Sequence, residues 1–119
     1  MAAGDFSDGD RYAIDKAIRA AEQSSRYEFS VFVGQADGDA RLFAQRLHGA
    51  AVAPDRSVLV MVDPTAHLIE VVTGDVVRRS LTDAQVELAI VHMQSAFAEA
   101  DLVGGLTRGI AQLAEHARV

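Results

Sequence analysis

Three aspartates, Asp37, Asp39 and Asp63, are placed in the sequence where their carboxylates could hold a divalent cation. Asp37 and Asp39 follow an apolar segment at residues 27–33, and Asp63 ends the apolar run 58–62. If these segments are parallel neighbouring strands, all three side chains lie beyond the carboxyl ends of the strands, where open α/β sheets bind ligands. Carboxylate oxygens suit Mg²⁺ or Ca²⁺. The spacing therefore predicts an acidic cleft, with solvated turns and helix caps as the alternative.

The same two loop aspartates have a second chemical interpretation. Asp37 and Asp39 resemble the aspartate pair of haloacid-dehalogenase-type phosphatases, in which one carboxylate attacks phosphorus and the other moves protons. There the first aspartate directly follows the strand, whereas here residues 34–36 intervene and Arg41 stands where a small side chain is expected. An acidic turn with a helix cap is the simpler explanation. Asp55 does not join this group, since the second strand separates it from the cleft.

Cationic side chains supply one more candidate site. Arg78 and Arg79 are adjacent and could together bind a carboxylate or phosphate, with ordinary surface charge as the alternative. The four histidines lack the paired spacing of a metal site. Histidine is also favoured near helix C-termini, so structural roles are expected for them.

Composition narrows the classes of function. The chain has 119 residues, no cysteine and a net charge of −6. The lack of cysteine excludes thiol nucleophiles, disulfides and zinc–thiolate sites. The acidic balance argues against nucleic acid as a partner, because affinity for the phosphate backbone comes from clustered Lys and Arg. The chain is expected to be cytoplasmic and not inserted in a membrane, because it shows no leader and no apolar run of about 20 residues.

Periodicity indicates the elements that must position these side chains. Helical spacing predicts a first helix over 8–23, capped by Ser7 or Asp8 and ended by Ser24 and Ser25. A strand over 27–33 follows. Asp39 caps a second helix, and residues 58–62 form the buried central strand.

The remaining elements complete the sheet and cover it. The turn at residues 63–66 is too short for a crossover helix, so the strand over 67–73 must be antiparallel. Thr82 and Gln85 form a capping box for the third helix, and Asp101 caps the fourth. Gly104, Gly105 and Gly109 allow the fourth helix to approach a neighbour closely. The predicted fold is a single domain over 1–119, with a disordered N-terminus at 1–7. It is an α/β/α three-layer sandwich with a mixed sheet, parallel first two strands and four helices.

Several strings resemble the TPM domain family, which includes thylakoid-lumen and photosystem-repair proteins. They are residues 29–34, 55–60 and 69–74, together with Phe97, Gly105, Leu106 and Gly109. Leu47–His48, residues 71–74 and residues 101–105, with Ala100 in place of a glycine, resemble more closely a group of small uncharacterised actinobacterial TPM-like proteins. The resemblance implies an α/β/α sandwich. It also implies either weak acid phosphatase activity with a metal-binding acidic cleft or a role as an assembly domain.

These observations favour a noncatalytic protein-interaction or accessory module that binds a protein partner or a second copy of itself. A weak divalent-metal-assisted phosphatase or metal-binding domain is the alternative. The first function requires no cofactor. The second would use Ca²⁺ or Mg²⁺ at Asp37, Asp39 and Asp63.

Overall fold

The computed structural model describes residues 6–118 and contains four α-helices and three β-strands in this range. In chain order they are α1 (Asp8–Ser25), β1 (Glu28–Val33), α2 (Ala40–Gly49), β2 (Ser57–Asp63), β3 (Leu68–Thr73), α3 (Asp83–Ala98) and α4 (Leu102–Ala117). Short 3₁₀ turns at Pro54–Arg56 and Val77–Arg79 flank the β2–β3 pair. Among these residues, none of the helices has the length and apolar character needed to cross a membrane.

The sheet has the predicted topology. Its order is β1-β2-β3, with β1 parallel to β2 and β3 antiparallel to β2. All residues of β2 are buried, because helices cover both faces of this central strand. Val58, Val60 and Val62 pack in the larger core with α1, α3 and α4, whereas Leu59 and Met61 pack with α2. The α/β/α arrangement of the prediction is confirmed.

Local hydrogen bonds explain where several helices begin. Thr82 and Gln85 form the predicted capping box of α3, with Gln85 N donating to Thr82 Oγ1 at 3.2 Å. Asp101 Oδ1 accepts from Gly104 N at 3.0 Å and caps α4. These short-range bonds satisfy amides that a helix leaves without internal partners.

The N-terminal boundaries differ from the prediction. Residues 1–5 of the expected disordered segment lie outside the described residues, whereas Ser7 caps α1 and Phe6 packs against the core. The predicted end of α1 at Ser24 and Ser25 is also corrected, because Ser25 remains helical. Its hydroxyl donates to Ala21 O at 2.7 Å, and the helix ends at Arg26 with φ of 70°.

The predicted close approach of α4 is confirmed at two glycines. A methyl group at Gly109 would lie 2.5 Å from Met93 Sδ, and one at Gly105 would lie 2.6 Å from Phe97 Cε1. Both contacts are with α3. Glycine therefore brings α3 and α4 together over β2, and one side of α3 faces away from this packing.

Candidate functional site

Asp63 joins two loops at the carboxyl ends of β1 and β2. Its carboxylate is buried, with the residue 5% exposed. Oδ2 accepts from Ala36 N in the β1–α2 loop at 3.2 Å, and Oδ1 accepts from Ala66 N in the β2–β3 hairpin at 3.1 Å. Both carboxylate oxygens of Asp63 thus accept hydrogen bonds from backbone amides. The two loops meet around this side chain beyond the carboxyl ends of β1 and β2, as strand order predicts, and we call this edge of the sheet the rim.

The other two predicted metal ligands lie in the loop that Asp63 contacts. Asp39 is exposed and caps α2, with Oδ1 accepting from Leu42 N at 2.9 Å. Asp37 is exposed. Within residues 6–118, no group of three or more His, Cys, Asp or Glu side chains is arranged to hold a metal ion. The rim is therefore observed, and metal binding by Asp37, Asp39 and Asp63 stays a prediction.

Asp55 lies at the other end of β2, in the 3₁₀ turn that precedes the strand. Its backbone carbonyl accepts from Val76 N at 3.0 Å. Its placement away from the rim follows from the length of β2, as expected from the sequence.

Arg78 stabilises the outer edge of β3. Its Nη1 donates to Thr73 O at 2.6 Å, and its guanidinium also pairs with Asp75. Arg79 is exposed and takes part in none of the ion pairs among the described residues. Anion binding by Arg78 and Arg79 stays a prediction. The adjacency of the two arginines in the sequence does not indicate the structural role of Arg78, which is to bind the Thr73 carbonyl.

Arg41 has a similar task on the same edge and was not predicted. Its Nη1 donates to Val71 O at 2.9 Å and pairs with Glu70 at 3.2 Å. Val71 and Thr73 alternate with the residues of β3 that bond to β2, so their carbonyls face away from the sheet. Two arginines therefore satisfy consecutive outward carbonyls of this edge strand.

Two of the histidines have hydrogen-bonding partners within the fold. His48 Nε2 lies 2.9 Å from Ser57 O, and His92 Nδ1 lies 2.8 Å from Gln112 Oε1 of α4. His67 is exposed in the hairpin, with a left-handed φ of 57°. The expectation of structural roles is met by His48 and His92.

The side of α3 that faces away from α4 is apolar and exposed. We call it the outer face of α3 and define it by Ala84, Leu88, Val91 and Ser95, all of which are exposed. Their spacing of four, three and four residues places them on one stripe of the helix. Leu88 and Val91 are 47% and 54% exposed. The helical periodicity of the sequence indicates the opposite stripe, Val86, Ile90, Met93 and Phe97, and does not identify this one.

Carboxylates lie along one border of the outer face of α3 and at its C-terminal end. Asp83 and Glu87 lie along the border, Glu99 follows the last residue of the helix, and all three are exposed. The helix contains no Lys or Arg. The four ion pairs found within residues 6–118 involve none of these three carboxylates. The outer face is thus a mainly apolar stripe with carboxylates along one border and at its C-terminal end.

Comparison with solved structures shows that other proteins share this fold. The BA42 protein from the psychrophilic bacterium Bizionia argentinensis superposes with a TM-score of 0.85 at 18% identity, covering 97% of this chain and 83% of that one. The N-terminal domain of a P. gingivalis protein superposes with a TM-score of 0.76 at 19% identity, covering 94% of this chain and 76% of that one. The N-terminal domain of the cg2496 protein from Corynebacterium glutamicum superposes with a TM-score of 0.76 at 18% identity, covering 97% of this chain and 76% of that one. At these identities the likeness shows the fold alone.

Sequence comparison gives the family. Uncharacterized proteins from two strains of Mycobacterium tuberculosis are 30% identical over 105 residues, which is 88% of this chain. The chain spans 63% of the length of these relatives. They agree with the expected uncharacterised actinobacterial relatives, whereas the TPM resemblance stays a prediction. The model of a domain of unknown function, DUF5130, matches residues 2–114, and the chain therefore belongs to the DUF5130 family.

Proposed function

We propose that this domain is a noncatalytic protein-interaction module that docks its partner on the outer face of α3. The single observation that carries the proposal is the exposure of Leu88 and Val91 next to each other on a helix whose other side is packed. Contiguous apolar surface of this kind is characteristic of interaction sites. The polar residues singled out in the sequence support the noncatalytic part, because Asp39, Asp63 and Arg78 all bind backbone groups.

The charges around the outer face select the partner. The nearby cations Arg41, Arg78 and Arg108 are each paired with their own carboxylate. Asp83, Glu87 and Glu99 form none of the ion pairs within residues 6–118, and they bring negative charge to one border of the outer face and to its end. Glu99 follows the C-terminus of α3, where the helix dipole favours a cation. These features suit an amphipathic helix with an apolar stripe bordered by Lys or Arg.

A second copy of the chain fits this surface less well. Each copy carries a net charge of −6, and pairing two outer faces would bring acidic borders together. Like charges brought together across an interface oppose association. A basic partner helix avoids this repulsion, and its cations are attracted to the carboxylates of α3.

Substitution of Leu88 tests the docking surface. We expect Leu88→Glu to weaken binding of a synthetic amphipathic helical peptide with a leucine stripe and lysine borders by about ten-fold, because Leu88 is central to the stripe. Fluorescence anisotropy measures the affinity, and amide chemical shifts map the contact to α3. The matched control is Leu42→Glu on α2, where the leucine is 52% exposed on another helix. Equal loss in both variants, or shifts away from α3, would overturn the proposal.

Charge selection is tested by exchanging the lysines of the peptide for glutamates. We expect about ten-fold weaker binding and a steep loss of lysine-peptide affinity with added salt. In native extract, a stoichiometric partner should be retained by Leu42→Glu and lost by Leu88→Glu. Self-association of the wild-type chain that Leu88→Glu abolishes would instead identify a second copy as the occupant.

Metal binding at the rim is a second candidate function, favoured by the contact between Asp63 and the loop that carries Asp37 and Asp39. If it is correct, millimolar Ca²⁺ or Mg²⁺ should shift the amides of Ala36 and Ala66 together. Asp37→Asn should abolish those shifts. Small shifts scattered over all acidic residues would contradict a defined site.

A further inference from the structure

A cavity of about 580 Å³ opens at the carboxyl end of β2, between the β2–β3 hairpin and the turn from α3 to α4. Its walls are mainly apolar and include Val62, Leu68, Ile69, Phe97 and Leu102. Its volume falls within the range of about 300–1,000 Å³ typical of small-molecule sites. Open α/β sheets bind their ligands in the crevice beyond the carboxyl ends of the strands. Size and position both point to a small ligand.

Three polar residues line the same cavity, Asp63, His67 and Gln94. The Asp63 carboxylate is already held by two backbone amides and contributes a negative charge to the wall. That charge opposes an anionic ligand. His67 and Gln94 are exposed side chains whose polar atoms make no hydrogen bond to residues 6–118 in the structure. They can both donate to and accept from an uncharged polar group.

The backbone on two sides of the cavity has an uncommon conformation. His67 has φ of 57° and Ala100 has φ of 63°, and both residues line the cavity. Residues other than glycine adopt this left-handed region infrequently. Ala100 ends α3, with its amide donating to Phe97 O at 3.0 Å, and His67 lies in the β2–β3 hairpin. These two turns shape the part of the wall that lies outside the sheet.

We propose that this cavity binds an uncharged amphipathic small molecule. Its apolar body contacts Val62, Ile69 and Phe97, and its hydrogen-bonding head lies at His67 and Gln94. The cavity is lined by none of the four residues that define the outer face of α3, and neither proposal depends on the other.

A pair of matched fluorescent probes tests the proposal. N-phenylnaphthylamine is neutral, whereas anilinonaphthalene sulfonate adds an anionic group to the same rings. We expect saturable binding of the neutral probe, with amide shifts at Leu68, Ile69 and Ala100, and at least about ten-fold weaker binding of the sulfonate. Tighter binding of the sulfonate, or no saturable binding of the neutral probe, would overturn the proposal.

Filling the cavity supplies the structural control. Leu68→Trp, at a residue 39% exposed, should weaken the neutral probe by about ten-fold, whereas Leu42→Trp on α2 should leave its affinity unchanged. Ala98→Leu fills the cavity from α3 and serves as a second variant should Leu68→Trp fail to fold. Probe affinity that is unchanged in the filled variants, or reduced equally in Leu42→Trp, would show that the probe binds elsewhere.

Discussion

Gly74→Ala is expected to destabilise the fold by about 3 kcal/mol or more. Gly74 follows β3 and lies against the turn that precedes β2, where a methyl group would collide with the backbone of Pro54 and Asp55. Backbone atoms cannot rotate away as a flexible side chain can. The clash would also disturb the hydrogen bond from Gly74 N to Ser57 O, which is 3.0 Å long. Urea unfolding followed by circular dichroism measures the loss.

Gly49→Ala is the matched control for this prediction. Gly49 is the last residue of α2, and no heavy atom lies within 4 Å of the position that its methyl group would take. Alanine is a better helix former than glycine by about 0.8–1.0 kcal/mol in a helix interior. We therefore expect an unchanged or higher urea midpoint. A Gly74→Ala midpoint equal to that of the wild type would show that the turn at Pro54 can move.

Asp63→Ala is expected to cost about 3 kcal/mol, because it removes the acceptors of two amides in different loops. Asp63→Asn keeps one acceptor oxygen and should lose roughly half as much. Hydrogen exchange should accelerate at Ala36 and Ala66 together in Asp63→Ala. This joint change distinguishes the loss of a shared anchor from a local change within the hairpin.

Asp37→Ala is the control for Asp63, since Asp37 is an exposed carboxylate in the loop that Asp63 contacts. We expect its free energy of unfolding to change by no more than about 0.5 kcal/mol. A loss as large as that of Asp63→Ala would show that negative charge on the rim, rather than hydrogen bonding by Asp63, stabilises these loops.

Interactions between residues close in sequence made the helices and strands predictable. The capping box of Thr82 and Gln85 acts over three residues, so its sequence pattern contains the whole interaction. The direction of β3 followed from the length of the turn after Asp63, because a crossover needs more residues than the turn provides. Both constraints are local and do not depend on how the rest of the chain packs.

The details of the candidate sites depend on distant packing and were harder to predict. Strand order placed Asp63 near the loop of Asp37, but the bond to Ala36 N depends on how that loop folds. On α3 the apolar residues Val86 and Leu88 both fit a helix, and the packing of α3 against α4 and β3 leaves Val86 buried and Leu88 exposed. The sequence pattern therefore predicts the helix without identifying its free face.

The two arginines that bond to the outer edge of β3, one from α2 and one from the turn after β3, also bear on how the protein behaves at high concentration. An edge strand offers unpaired backbone groups to strands of other molecules, which is a common route to aggregation. Arg41 and Arg78 occupy the outward carbonyls of Val71 and Thr73, and each brings a charged group to that edge. A strand from another copy would have to displace both guanidinium groups before it could pair with β3. The fold thus limits growth of its sheet from the β3 side.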